Sequence, residues 1–107
     1  MIDDIQKTNL LIEKMKSELP IPAYPTKQLC KYAKAQSNIY LNRNHLMEII
    51  DVMYGGEEVG IACNISKRNA KDVLFVSVTH LQIDETHKLS KNISEYQKNR
   101  IKKMEIN

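Results

Sequence analysis

The chain has 107 residues, of which 42% are hydrophobic and 27% charged, and its formal net charge is +3. It holds three Gly, three Pro and two Cys, a composition that excludes disordered, collagen-like and disulfide-dense chains. Because one core usually occupies roughly 100–150 residues, we expect a single domain over residues 1–107.

Two features predict the compartment. No stretch approaches the ~20 apolar residues of a membrane-spanning helix, and the acidic start MIDDIQKTN lacks the positive and apolar regions of a signal peptide. Cys30 and Cys63 are far apart and belong to no CxxC motif, which is typical of reduced thiols packed as small hydrophobes. These observations predict a cytoplasmic protein that does not contact membranes.

Residues 4–19 predict an amphipathic helix, because apolar side chains recur there at multiples of a helical turn. Asp3 or Asp4 can accept backbone N–H bonds at its start, and Pro20 ends it. The segment Pro20–Pro25 then predicts a short extended connector, because each proline fixes its own φ and excludes the preceding residue from the α region.

The next part of the chain predicts two more helices. The first covers Lys27–Gln36 with Thr26 as its N-cap, and a short extended piece follows at Ile39–Leu41, which is rich in β-branched and aromatic residues. The second covers His45–Tyr54, where apolar residues follow the i, i+3, i+4, i+7 rule. Gly55 suits the left-handed position after that helix. The apolar residues of this second helix are Leu46, Ile49, Ile50 and Met53.

Two β-rich segments predict an antiparallel hairpin at about 59–65 and 73–81, because Val, Ile, Phe and Thr dominate on both sides of a polar stretch. The second segment is apolar on consecutive residues, so both of its faces should be covered near its start. The predicted fold class is therefore α+β, with this hairpin packed by three or four helices.

The last of these helices runs from Thr86 or Ser90 to about Met104 and has an apolar face opposite five lysines. We expect the apolar side chains to dock against the hairpin and the lysines to remain in water. The docking residues are Leu89, Ile93, Tyr96, Ile101 and Met104.

The hairpin register also predicts what its reactive residues do. If Ile65 faces Val73, Cys63 lies opposite Phe75 in apolar surroundings that raise its pKa and make it unreactive. The same register brings Glu58 opposite His80, either as an acid–base pair or as a cross-strand ion pair, and the ion pair is favoured.

No metal or cofactor site is predicted. The three histidines and two cysteines lack the close spacing of metal ligands, and the glycines form no phosphate-binding loop. With no Trp and one Phe, the chain is poorly supplied with stacking platforms for single strands. Four tyrosines are expected to anchor the edge of the core with their hydroxyls in water, namely Tyr32, Tyr40, Tyr54 and Tyr96.

Basic residues gather in two places. Residues 27–47 carry Lys27, Lys31, Lys34 and Arg43 and no acidic residue, and the hairpin tip is also basic. The order helix, break, helix, hairpin over residues 26–81 resembles that of winged helix-turn-helix domains. This resemblance implies that the second helix enters the major groove and the hairpin tip contacts phosphate. The basic residues of the tip are Lys67, Arg68 and Lys71.

That second helix would itself be acidic, through Glu48 and Asp51, which opposes groove binding. A different feature favours protein association: strand 59–65 is apolar, and only Glu57 and Glu58 guard it as a sheet edge. The sequence therefore favours a non-catalytic protein-interaction module that pairs with a protein partner or a second copy. The alternatives are a nucleic-acid-binding domain and a small enzyme that uses Glu58 and His80.

Overall fold

A computed structural model describes residues 3–37, 40–66 and 73–106, which form three α-helices, six β-strands and a short 3-10 turn. The helices are α1 (Ile5–Ser17), α2 (Lys27–Ser37) and α3 (Ser90–Ile106). The strands are β1 (Ile21–Pro25), β2 (Met47–Ile49), β3 (Asp51–Tyr54), β4 (Ile61–Asn64), β5 (Phe75–Ser77) and β6 (Leu81–Ile83).

The strands form two antiparallel three-stranded sheets, with the orders β2-β1-β6 and β3-β4-β5. Strand β2 continues into β3 through Ile50, and β5 continues into β6 through the 3-10 turn Val78–His80. Each edge strand of one sheet thus runs on into an edge strand of the other. The two sheets are joined at two opposite edges, and buried residues of both belong to one hydrophobic core.

The core takes side chains from both sheets and from the helices, as expected when each element buries one face. Strand β1 alternates, with Ile21, Ala23 and Pro25 buried. Helix α1 buries Leu11, Ile12 and Met15, and α3 buries Ile93. The α+β class is confirmed, with two sheets in place of the single predicted hairpin.

Local signals at the helix starts are confirmed. The Asp4 side chain accepts a hydrogen bond from the Lys7 backbone N–H at 3.2 Å, and the Thr26 hydroxyl accepts one from the Leu29 N–H at 3.2 Å. These bonds satisfy N–H groups that have no partner inside the helix. No helix within the described ranges is long and apolar enough to cross a membrane.

The predicted helix His45–Tyr54 is wrong, because this segment forms β2 and β3. Ile49 and Val52 are fully buried, whereas Leu46 and Met53 are about half exposed, so the core side does not follow a helical stripe. Pairing with β1 and β4 fixes this segment as strand. The winged-helix element order is overturned with it, because no second helix is present where the groove-reading helix was predicted.

Two predicted extended pieces also differ from the structure. The expected connector at 20–25 is β1, the central strand of its sheet. Tyr40 and Leu41, predicted as part of a short strand, have no regular secondary structure, and Ile39 lies outside the described residues.

The antiparallel hairpin itself is confirmed as β4 and β5, with a register shifted by one residue. Cys63 lies opposite Val76 and not opposite Phe75. The start of the second segment is not covered on both faces, because Val73 is 62% exposed and Phe75 40%. The segment also leaves this sheet at the 3-10 turn, so its last residues pair with β1.

Candidate functional site

The segment between β1 and β2 presents an exposed basic surface on α2. The helix buries Leu29 and Ala33 against the body of the protein. Lys27, Lys31 and Lys34 lie at i, i+4 and i+7 and are all exposed, so they form one stripe on the opposite side of the helix. We call these three residues the α2 lysine stripe.

The α2 lysine stripe has no neutralising partner in the part of the chain that the structure describes. The ion pairs there are Lys88–Glu18, at 2.7 Å, and Arg100–Asp3, at 3.1 Å. In the sequence, no Asp or Glu occurs between Glu18 and Glu48. Because like charges on neighbouring turns are not compensated locally, the stripe presents a positive field to solvent.

Two tyrosines of this region are exposed, so their predicted role as core anchors is wrong. Tyr32 is 64% exposed and Tyr40 is 75% exposed. The Lys34 ammonium lies 5.6 Å from the centre of the Tyr40 ring, which is within cation–π range. The surface thus combines cations with aromatic faces that are open to solvent.

The other two tyrosines pack against the core as predicted, but their hydroxyls are not in water. The Tyr54 hydroxyl is buried without a hydrogen-bond partner among the described residues. The Tyr96 hydroxyl donates to Asp3 Oδ2 at 2.8 Å and accepts from the Ile61 backbone N–H at 3.1 Å. Burial first, and then this bond to Asp3, raise the pKa of Tyr96 above its usual range.

The remaining predicted cations do not extend the stripe. Arg43 lines a separate depression together with Asp84 and Glu85, and the negative charges of these two residues offset its positive charge. The predicted basic tip, Lys67, Arg68 and Lys71, lies outside the described residues. The candidate surface therefore consists of the α2 lysine stripe with Tyr40.

The cross-strand pairing of Glu58 with His80 depended on a register that is wrong by one residue. The ladder between β4 and β5 ends at Ala62 and Ser77, Glu58 lies in an exposed turn, and His80 ends the 3-10 turn. No hydrogen bond or ion pair between these two described side chains is present. Burial lowers the pKa of His80, and its Nδ1 is buried without a partner among the described residues. Their use as an acid–base pair stays a prediction.

The expected inertness of Cys63 is supported by its surroundings. The side chain is fully buried between Val52 and Val76 on the neighbouring strands. Burial raises the pKa of the Cys63 thiol to about 12, because the low-dielectric interior disfavours the thiolate. Within the described ranges, no three His, Cys, Asp or Glu side chains are grouped to hold a metal ion.

Strand 59–65 was expected to be a sheet edge, and this expectation is wrong, whereas association with a partner stays a prediction. Strand β4 is the centre of its sheet and pairs with β3 on one side and β5 on the other. Its backbone groups are used in these two ladders, so it offers no free edge to a partner.

A buried ion pair that sequence reasoning missed joins the two ends of the described chain. Both Nη1 bonds from Arg100 to the Asp3 carboxylate are 3.1 Å long, and the two side chains are 1% and 2% exposed. Arg100 Nη2 donates to the Glu57 carbonyl oxygen at 2.6 Å. These hydrogen bonds hold α3 against the start of α1 and against the turn before β4.

Gly60 permits this close packing. It has a φ of +72°, and a Cβ at this position would meet the Tyr96 hydroxyl and would lie 2.9 Å from Arg100 Cζ. Gln97 follows Tyr96 on the same helix, and its Nε2 donates to the carbonyl oxygens of Val78 and Leu81, both at 2.7 Å. Helix α3 thereby holds the corner where the two sheets meet.

Comparisons with protein-family models, with curated proteins and with solved structures find no match to this chain. Surface chemistry is therefore what indicates a function. The α2 lysine stripe, which has no ion-pair partner among the described residues, lies next to the exposed ring of Tyr40.

Proposed function

We propose that the protein binds nucleic acid through the α2 lysine stripe. The observation that carries this proposal is the alignment of Lys27, Lys31 and Lys34 on one exposed face without an ion-pair partner in the described chain. Lysines that neutralise phosphates release condensed counterions, and this release supplies most of the affinity of sequence-independent binding.

The length of the stripe suits a phosphate backbone. Lys27 and Lys34 are seven residues apart, which is about 10 Å along a helix axis. One strand of B-DNA carries a phosphate roughly every 3.4 Å of helix axis, so a stripe parallel to that axis covers the length of about three of them. The segment predicted to read the major groove forms strands β2 and β3, and lysine ammonium groups bind phosphates as point charges. The expected contacts are therefore to the backbone and not to base edges.

Three phosphate contacts set the expected salt dependence. The slope of log K against log[salt] is about −0.7 per contact for single strands and −0.9 for duplexes, or roughly −2 to −3 here. Affinity should therefore fall about 20- to 40-fold between 50 and 200 mM salt.

Fluorescence anisotropy with a labelled 20-nucleotide strand tests this proposal. The variant carries Ala at the three positions of the α2 lysine stripe, and the control carries Lys91→Ala, Lys98→Ala and Lys102→Ala on the exposed side of α3. Both lose three positive charges, so they differ only in where the charge is removed. The stripe variant should lose both binding and salt dependence, whereas the control should keep most of each. Equal losses, or no salt-sensitive binding by the unmodified protein, refute the proposal.

As a second candidate, we propose self-association through the outer face of the sheet β3-β4-β5. Met53 is 49% exposed and Phe75 40%, and the strand register puts both on this face. Ala62, opposite Met53, is only 5% exposed and adds nothing to the apolar surface. Exposed apolar side chains on one sheet face favour association, because pairing removes them from water.

Sedimentation across a dilution series tests this second candidate. Met53→Gln with Phe75→Gln should shift a dimer towards monomer, and Leu10→Gln serves as the control because Leu10 is 57% exposed on α1. A monomer at every concentration of the unmodified protein contradicts this candidate and leaves the nucleic-acid proposal in place.

A further inference from the structure

We infer that the ligand of the α2 lysine stripe is a single-stranded nucleic acid with an unpaired base stacked on Tyr40. This inference rests on the proposed function and adds the form of the nucleic acid. It follows from the exposed Tyr40 ring beside Lys34, which backbone contacts alone do not require.

Tyr40 has the geometry of a stacking platform. The ring is 75% exposed, and the ammonium of Lys34 lies 5.6 Å from its centre. A base stacked on the open part of this ring would bring its own phosphate close to that ammonium, so one nucleotide could satisfy both groups. Stacking of this kind tolerates any sequence, because every base has an aromatic face.

Tyr32 lies away from the stripe, although it is exposed. At about 100° per residue, it is turned by about 100° from Lys31 and by about 140–160° from Lys27 and Lys34 around the helix axis. A strand that follows the three lysines therefore meets Tyr40 and not Tyr32. Because 64% of its surface is exposed, Tyr32 serves as a control ring.

The Tyr40 ring distinguishes nucleic acid with unpaired bases from a duplex. In a duplex both faces of an internal base are covered by neighbouring base pairs, so an exposed tyrosine can stack only on bases that are unpaired. Lysines alone would bind duplexes, single strands and acidic proteins through charge. The aromatic surface adds free energy only for the single strand, which is why we favour it over the other anionic partners.

The test measures anisotropy of a labelled 12-nucleotide strand and of the matching 12-base-pair duplex. Tyr40→Ala removes the ring, and Tyr40→Phe keeps it as the matched control. Tyr40→Ala should weaken binding of the single strand at least about fivefold and change duplex binding less than twofold. Tyr40→Phe should stay within twofold for both ligands, and so should Tyr32→Ala, which removes an exposed ring away from the stripe. Circular dichroism confirms that the exposed positions leave the fold intact.

The outcomes separate this inference from the proposed function. If strand and duplex bind equally and Tyr40→Ala weakens neither, while the lysine variant weakens both, the inference is wrong and the proposed function stands. If the unmodified protein binds neither nucleic acid, both are wrong. If poly-glutamate competes as well as the single strand and Tyr40→Ala changes neither, the partner is an acidic protein and both are again wrong.

Discussion

Replacement of Arg100 by Met should destabilise the protein severely, because it leaves the Asp3 carboxylate buried without its cation. The two side chains are 1% and 2% exposed and share two hydrogen bonds of 3.1 Å. Removing one member of a buried ion pair typically costs about 3–5 kcal/mol. A domain of this size is stable by about 5–15 kcal/mol, so the loss is a large fraction of the total.

Urea unfolding followed by circular dichroism measures this change. With slopes of about 1–3 kcal/mol per molar, a loss of about 3 kcal/mol lowers the midpoint by at least ~1 M. Lys98→Met is the matched control, because Lys98 is an exposed cation on the same helix and surface substitutions usually change stability by less than ~0.5 kcal/mol.

A double-mutant cycle tests the cause. Asp3→Asn alone should also destabilise, since it leaves Arg100 buried beside a neutral partner. The double variant should be more stable than the sum of the single losses predicts, by about 1–3 kcal/mol, because no unpaired charge remains. Additive losses, or a loss below about 1 kcal/mol for Arg100→Met, would refute the reasoning from burial.

Three further predictions concern single residues. Gly60→Ala should lower the free energy of unfolding in urea by at least about 1 kcal/mol more than Gly56→Ala does. Both glycines have positive φ, but only Gly60 lacks room for a Cβ, and equal losses would contradict this. In the folded protein a thiol reagent should modify Cys30, which is partly exposed, and not Cys63, which should react only after unfolding; modification of both would be contrary evidence. Burial lowers the pKa of His80, so below its ordinary value of 6.5 the unfolded chain takes up the proton first and stability falls. His80→Gln should therefore lose less stability between pH 7.5 and 5 than the unmodified protein, and parallel curves would argue against this.

The helices could be predicted because their signals are local. Asp4 and Thr26 mark the starts of α1 and α2 through hydrogen bonds to residues three positions ahead, so a short stretch of sequence contains both partners. The basic stripe of α2 was predictable for the same reason, since its three lysines depend only on helical periodicity.

The sheets could not be predicted in the same way. The apolar residues of 45–54 match a helical period, and the choice of strand comes from distant partners: Ile49 lies opposite Ile21, and Val52 opposite Cys63. Strand β1 was not predicted because it contains Pro22 and Pro25. Prolines normally argue against a central strand, since proline lacks an N–H donor. In both segments tertiary pairing outweighs local preference.

Local sequence patterns could not predict which tyrosines are exposed, nor the ion pair between Asp3 and Arg100. Tyr32 and Tyr40 are exposed because nothing in the described chain covers them, whereas Tyr54 and Tyr96 are covered. On α3, Ile101 and Met104 were expected to dock but are 45% and 48% exposed. Arg100 docks in their place, because its partner carboxylate comes from the other end of the described chain.

The Asp3–Arg100 contact also has a consequence for the order of folding. Its residues are 97 positions apart, and closing a loop of that length costs roughly 4 kcal/mol of chain entropy before the contact contributes anything. Such distant contacts slow folding. Until Arg100 is in place, the Asp3 carboxylate has no cation to pair with. We therefore expect the start of α1 to reach its final position only together with α3.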